Sequence, residues 1–350
     1  MSEQFPHNLA QTNADLAQTS AETKESEHLL QLEAFSEKLH LKSQWESQVK
    51  ALNETGVLEI LPDCQDIGIV GIDPTDPTKT KEYPIPTYAE IQAMITPEQL
   101  QILELKQSQG FIKMLLVPIG IPLEILIDRY KRLIIDKHSK GELLSTDGTK
   151  LELDKDNPIF VWDKIKIKNA DTDGRLTYFP QDYQNPNFKG FTKNELISGM
   201  ANNPKHQDYL NQVKPTNAWQ VIFIEDNPDL PAENQGKTVN QGQPNQRKQL
   251  EANDSSINYL KKIQTNPQYS HEQGLTLEAW LIYAITQLKA KNQQIDDFRG
   301  KGKACWFTGS YLSGLVLRGG WDRDDRKAIL DRYNSNISFE DYGLRSAVKL

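Results

Sequence analysis

The last fifty residues constrain the fold more than any other stretch. From Gly300 onward the chain is rich in glycine, aromatic and charged residues, and its spacing supports no long helix. Leu315 to Leu317 reads as a short strand. Gly319-Gly320 then lets the backbone turn or approach a neighbour closely, and Trp321 reads as a core anchor. Leu344 to Leu350 alternates between apolar and polar residues and predicts a closing strand. Between these anchors lie Asp, Arg, Tyr, Asn and Ser with little periodicity. Such side chains suit an adaptable binding surface, and an ordinary solvated loop has the same composition.

Composition narrows the class. The 350 residues carry a formal net charge of −8, so the chain as a whole is not expected to bind nucleic acid, which attracts basic faces. A length near two typical domains is expected to bury a sizeable core. The 6 Trp, 12 Tyr and 11 Phe rule out disorder throughout. The most apolar stretch, Met114 to Ile127, is interrupted by Pro118, Gly120, Pro122 and Glu124, so no membrane span is expected. The first residues lack a basic and then an apolar region. The expectation is a cytoplasmic protein without a signal peptide, with leaderless export left open. Cys64 and Cys305 cannot make a disulfide framework and are expected reduced and buried, although Lys303 near Cys305 would favour a thiolate.

Residues 1–27 are polar and are expected to form a disordered tail. Leu29, Leu32, Phe35, Leu39, Trp45, Val49 and Leu52 follow steps of three and four, predicting a helix over 29–53 with a stop at Gly56. Ile67 to Ile72 reads as a strand. Thr96 caps a helix, with Gln99 closing a capping box. Phe111 to Val117 reads as a buried strand, and a helix from Pro122 ends at Gly141. Residues 28–155 are thus a helical and small α/β region. A second regime starts near residue 156, with strands at Ile159–Trp162 and Trp219–Ile224. A helix follows over Leu275–Ile295, capped by Thr276, with one apolar face. Residues 232–249 are expected to be an exposed loop.

Most chemical motifs fail on inspection. Asn169 to Gly174 has the alternating oxygens of a calcium loop, but its twelfth position is Pro180, so a solvated turn is the better reading. Gly236-Lys237-Thr238 lacks the upstream glycine of a phosphate loop, and no zinc-protease or serine-hydrolase motif is present. No cofactor or metal is expected.

Arg318-Gly319-Gly320-Trp321, followed by Tyr342-Gly343-Leu344-Arg345, resembles the C-terminus of C-type-lectin-fold proteins. It looks most like the variable target proteins of diversity-generating retroelements. It is more distantly similar to the formylglycine-generating/sulfatase-modifying factor group. The likeness is tightest over residues 305–350; upstream, segments such as 219–225 and 275–285 look like an uncharacterised bacterial family with the same ending. The resemblance implies an α+β chain whose C-type-lectin-like domain spans 156–350. A stable scaffold there displays variable side chains to a protein or other macromolecular ligand. It places Tyr311, Asp322, Arg323, Asp325, Arg326, Arg332, Tyr333, Asn334, Asn336, Asp341 and Tyr342 among the displayed residues. Gly319, Gly320, Trp321, Gly343 and Arg345 match scaffold positions. The chain departs from the pattern: the serine of Gly-Gly-Ser-Trp is missing, and Leu344 replaces a phenylalanine. A lone Cys305 lacks the cysteine pair that the oxidising enzymes of the fold need, and the sugar and calcium motifs of animal lectins are absent. The leading expectation is therefore a non-enzymatic binding protein, free to form oligomers. The alternatives are an adaptor docking through helix 29–53 and a formylglycine-generating-type oxidase.

Overall fold

The computed structural model describes residues 7–76, 78–173, 175–183, 190–198, 218–312 and 314–350. Helix Leu277–Lys291 lies at its centre. The Thr276 hydroxyl accepts a hydrogen bond from the Ala279 N–H, and Asn292, left-handed at φ 61, closes the other end. The spacing predicted one apolar face, but every residue from Leu277 to Leu288 is buried. Helices Leu41–Glu54 and Leu123–Ser139, strand Phe111–Pro118 and the C-terminal strands pack around it. Glu278, Gln287 and Thr286 find partners inside, while the Tyr283 hydroxyl has no hydrogen-bond partner among the described residues. Tyr178 and Lys193 engage Glu278, Lys113 donates to Gln287, and Thr286 donates to the Ile282 carbonyl.

The chain is α+β. One antiparallel sheet has the order Gln273–Gly274, Ser346–Lys349, Trp219–Glu225, Phe111–Pro118. Strand Phe111–Pro118, expected inside an N-terminal region ending at residue 155, thus pairs with strands from the C-terminal half. Met114 to Pro118 are buried on both faces and must be covered on both. One hydrophobic core consequently runs from Leu32 to Leu350. A second sheet has the order Tyr342–Leu344, Ala304–Leu312, Leu315–Asp322, Lys327–Tyr333, Ile159–Val161. Asp297–Phe298 joins it alongside Leu315–Asp322, and Leu176–Tyr178 alongside Ala304–Leu312. Its inner face, with Cys305, Phe307, Leu317, Trp321 and Leu330, belongs to the main core. Its outer face, with Trp306, Val316, Ile329, Tyr342 and Leu344, packs with Tyr259, Leu260 and Ile263 of helix Ser256–Thr265. The three-residue strand expected at 315–317 runs on to Asp322, because Gly319 and Gly320 allow close approach within a strand and do not turn.

The N-terminal expectations need correction. Residues 7–27, expected in a disordered tail, belong to helix His7–Lys38, and residues 1–6 lie outside the described residues. Their Ala, Leu, Gln and Glu content favours helix. The single helix expected over 29–53 is two, broken where His40 turns left-handed at φ 51. Leu32, Phe35, Leu39, Leu41 and Leu52 are buried in the chain's own core, so this segment docks at home.

The second helix also protects a sheet edge. Strand Phe111–Pro118 ends its sheet, leaving backbone groups unpaired on one side. Gln48 spans that edge, donating to the Met114 carbonyl at 2.5 Å and accepting from the Leu116 N–H at 3.0 Å. Gln44 does the same for the Ile112 carbonyl and the Met114 N–H. Gln48 is only 6% exposed. Replacing it with alanine leaves two buried backbone groups unsatisfied. Gln48→Ala is expected to lower stability by about 2 kcal/mol in urea unfolding, and an unchanged midpoint would refute this role.

Candidate ligand-binding face

The scaffold residues expected from the C-terminal pattern lie inside. A Cβ on Gly319 would sit 2.6 Å from the Phe307 ring, and one on Gly320 would sit 2.8 Å from the Asp296 carbonyl oxygen. Trp321 is 1% exposed, and its N–H donates to the same Asp296 carbonyl at 3.0 Å. Arg345 donates to the Asp296 carboxylate and to the Asn227 carbonyl. Burial opposes its charge, but Asp296 outweighs that and holds the guanidinium well above its ordinary range. Gly343 pairs with Cys305, backing onto Ala252.

The residues expected to be displayed separate into distinct groups. The turn after Trp321 holds Asp322, Arg323, Asp325 and Arg326. Asp322 is 3% exposed, and its Oδ1 accepts from the N–H groups of Asp324 and Asp325 at 3.0 Å each. It is a turn cap, so its expected display is corrected. Arg323 is partly buried, with its guanidinium on the Asp297 carboxylate. Asp325 and Arg326 are exposed, Arg326 at φ 54.

Arg332, Tyr333, Asn334 and Asn336 lie at the other end of strand Lys327–Tyr333, roughly 20 Å away at the usual strand rise. Arg332 covers Trp162 at 5.0 Å and pairs with Asp331. Asn334 and Asn336 are exposed. Tyr333 is half-buried, 5.0 Å from Phe339 and 5.8 Å from Tyr342 between ring centres.

Tyr311 and Tyr342, also expected on the surface, are buried. Tyr311 stacks on Tyr183 at 5.1 Å. Tyr342 packs against Trp306, Phe339 and Phe298, because its strand is an outer member of the sheet yet lies beneath the 334–341 loop. Asp341 is half-buried and accepts from Lys303.

Arg318, which carried no role in the sequence beyond the motif, organises the outer face. Its guanidinium carbon lies 4.6 Å from the Tyr342 ring centre, 5.1 Å from Tyr333 and 5.8 Å from Phe298. Nη2 is 3.4 Å from Asp331, its partner across the strands. Nε and Nη1 are buried without hydrogen-bond partners, so the ring faces are what they meet. Two further surface residues gave no sequence signal. Asp324 is exposed and pairs with Arg299 at 3.0 Å. Phe160, 37% exposed and in register with Ile329, lies on the same face as Arg318 and Tyr333.

Other expectations shift with burial. Asp171 of the supposed solvated loop is 1% exposed. It accepts from the Leu123 N–H and from buried Lys193, and Asp173 pairs with Arg175. Gly174 of that loop lies outside the described residues. Among the described residues, no group of three or more His, Cys, Asp or Glu could hold a metal ion. Cys64 is exposed, against expectation. Cys305 is buried, and burial pushes its thiol far up; Lys303 is turned to Asp341 and supplies no thiolate. A cleft of about 530 Å³ between helices Pro97–Ser108 and Ser256–Thr265 is lined by none of the residues expected to bind ligand.

No family model, curated protein or solved structure matches the chain.

Arg318→Ala is expected to cost about 3 kcal/mol of stability, since it hollows an aromatic cage and strips Asp331 of a partner. Lysine, without a planar fork to fill the cage, should recover less than half. Arg332→Ala, at a partly exposed side chain that covers Trp162, should cost about 1 kcal/mol. Denaturant unfolding of the three variants checks the order.

Proposed function

We propose that this chain is a non-enzymatic binding protein whose C-terminal segment displays recognition residues on a C-type-lectin-type scaffold. One observation carries the reading. Within a single stretch, glycines and an indole without free space (Gly319, Gly320, Trp321) are followed by the exposed Asp325, Arg326, Asn334 and Asn336. Buried neighbours fix the backbone, so the outward side chains can change identity at little cost to the fold. A rigid backbone also lowers the ordering entropy lost on binding. The ligand in this reading is a protein or another macromolecule, met by mixed charge and amide groups beside Tyr333 and Phe160.

A second reading, an adaptor, is favoured by helix His7–Lys38. Leu29 and Leu30 on its stem are 57% and 67% exposed. If that helix is a docking element, Leu29→Ser with Leu30→Ser should change the mass measured by light scattering.

The display reading is tested by randomising positions 325, 326, 334 and 336 together and selecting against hen-egg lysozyme. Clones with Kd near or below about 1 μM are expected, with Tm within about 4 °C of the parent. Loss of folding in most randomised clones, or no binder from a fully sampled library, would count against a display surface.

A further inference from the structure

The turn at residues 322–326 is tied to the neighbouring segment 297–300 by two arginine–aspartate pairs of opposite direction. Arg323 reaches back to Asp297, with Nε at 3.2 Å and Nη2 also in contact. Arg299 reaches forward to Asp324 at 3.0 Å and lies 3.6 Å from Asp322. The two ties differ in kind. Arg299 and Asp324 are both largely exposed, so their attraction is screened and weak. The Asp297 carboxylate is fully buried, and Arg323 is the side chain that hydrogen-bonds it. The surroundings make that dependence acute. Asp147 and Asp229 add negative charge nearby, Lys301 is paired with Asp147, and Arg345 is committed to Asp296. The carboxylate is also held in place: a Cβ on Gly300 would fall 2.5 Å from its Oδ2. Burial lifts the Asp297 carboxyl above its ordinary range, with Arg323 pulling the other way.

We propose that Arg323 is a positioning residue that neutralises buried Asp297 and sets the turn, and that Asp324, Asp325 and Arg326 are the positions free to determine specificity there. The assignment of specificity rests on the display reading above; the role of Arg323 does not. Asp322 belongs with Arg323, because its carboxylate holds the N–H groups of Asp324 and Asp325. Removing Arg323 leaves an uncompensated charge on a fully buried carboxylate, whereas the exposed Asp325 meets Lys327 at 3.4 Å, a side chain that still reaches solvent.

The test is a double-mutant cycle on the full chain, read by the rate of thermolysin cleavage under native conditions. Arg323→Ala is expected to speed cleavage about tenfold or more, and Asp325→Ala and Arg326→Ala less than twofold. In an Asp297→Asn background, Arg323→Ala should change the rate less than threefold, since no buried charge is left behind. An equal effect of Arg323→Ala in both backgrounds, or an effect no larger than that of Asp325→Ala, overturns the proposal. Should Arg323→Ala alone fail to fold, the double variant decides. A folded Asp297→Asn/Arg323→Ala chain supports the pairing, and an unfolded one overturns it. Because no ligand enters this measurement, its failure is separate from failure of the display reading.

Discussion

Asp296 is the residue on which the C-terminal half converges. Its carboxylate takes Nε and Nη2 of Arg345 and the indole N–H of Trp280, at 2.5 to 3.1 Å. Its backbone is left-handed at φ 52, its N–H donates to the Pro228 carbonyl, and its own carbonyl accepts from Trp321. The central helix, Arg345, strand Leu315–Asp322 and the loop at 227–228 therefore meet at one fully buried residue. A charge so placed is tolerable only while each partner stays in position, which makes the arrangement all or none. It also explains Gly320: a side chain there would collide with the carbonyl that receives Trp321.

Two other buried ion clusters join distant parts of the chain. Lys106 and Arg247 both meet Glu272, which also accepts from Ser346, so residues far apart in sequence share one carboxylate. Lys193 bridges Asp171 and Glu278, with Tyr178 completing the group. Each cluster crosses from one side of residue 155 to the other or ties a loop to the central helix. Pairing inside the core fixes which partners meet, even when its net energy is small. The N-terminal region is for this reason part of one core and not an appendage.

Local signals in the sequence were legible where local physics decides. The Thr96 and Thr276 caps, the left-handed Gly141 at φ 70, and the apolar runs Phe111–Val117 and Trp219–Ile224 all appear in the structure. At Thr96 the partner differs: its hydroxyl donates to Glu98, while the complete capping box belongs to Thr87 and Glu90. Pairing was not legible, because strand 111–118 carries nothing that names Trp219–Glu225 as its neighbour. Depth was not legible either. Asp322, Tyr311 and Tyr342 look like surface residues by type, and what lies above them comes from elsewhere in the chain. Asp296 itself, flanked by Ile295 and Asp297, carries no local mark of its role.

Strand Ser346–Lys349 holds an inner position in its sheet, between Trp219–Glu225 and Gln273–Gly274. It is also the last strand in sequence, and its neighbour Trp219–Glu225 was synthesised over one hundred residues earlier. Such long-range closure is slow, and the two earlier strands must wait with one flank open until translation delivers the third. A premature stop codon anywhere in the polar segment would leave that flank bare and the Arg345–Asp296 bond unmade. Quality control would then remove the shortened product.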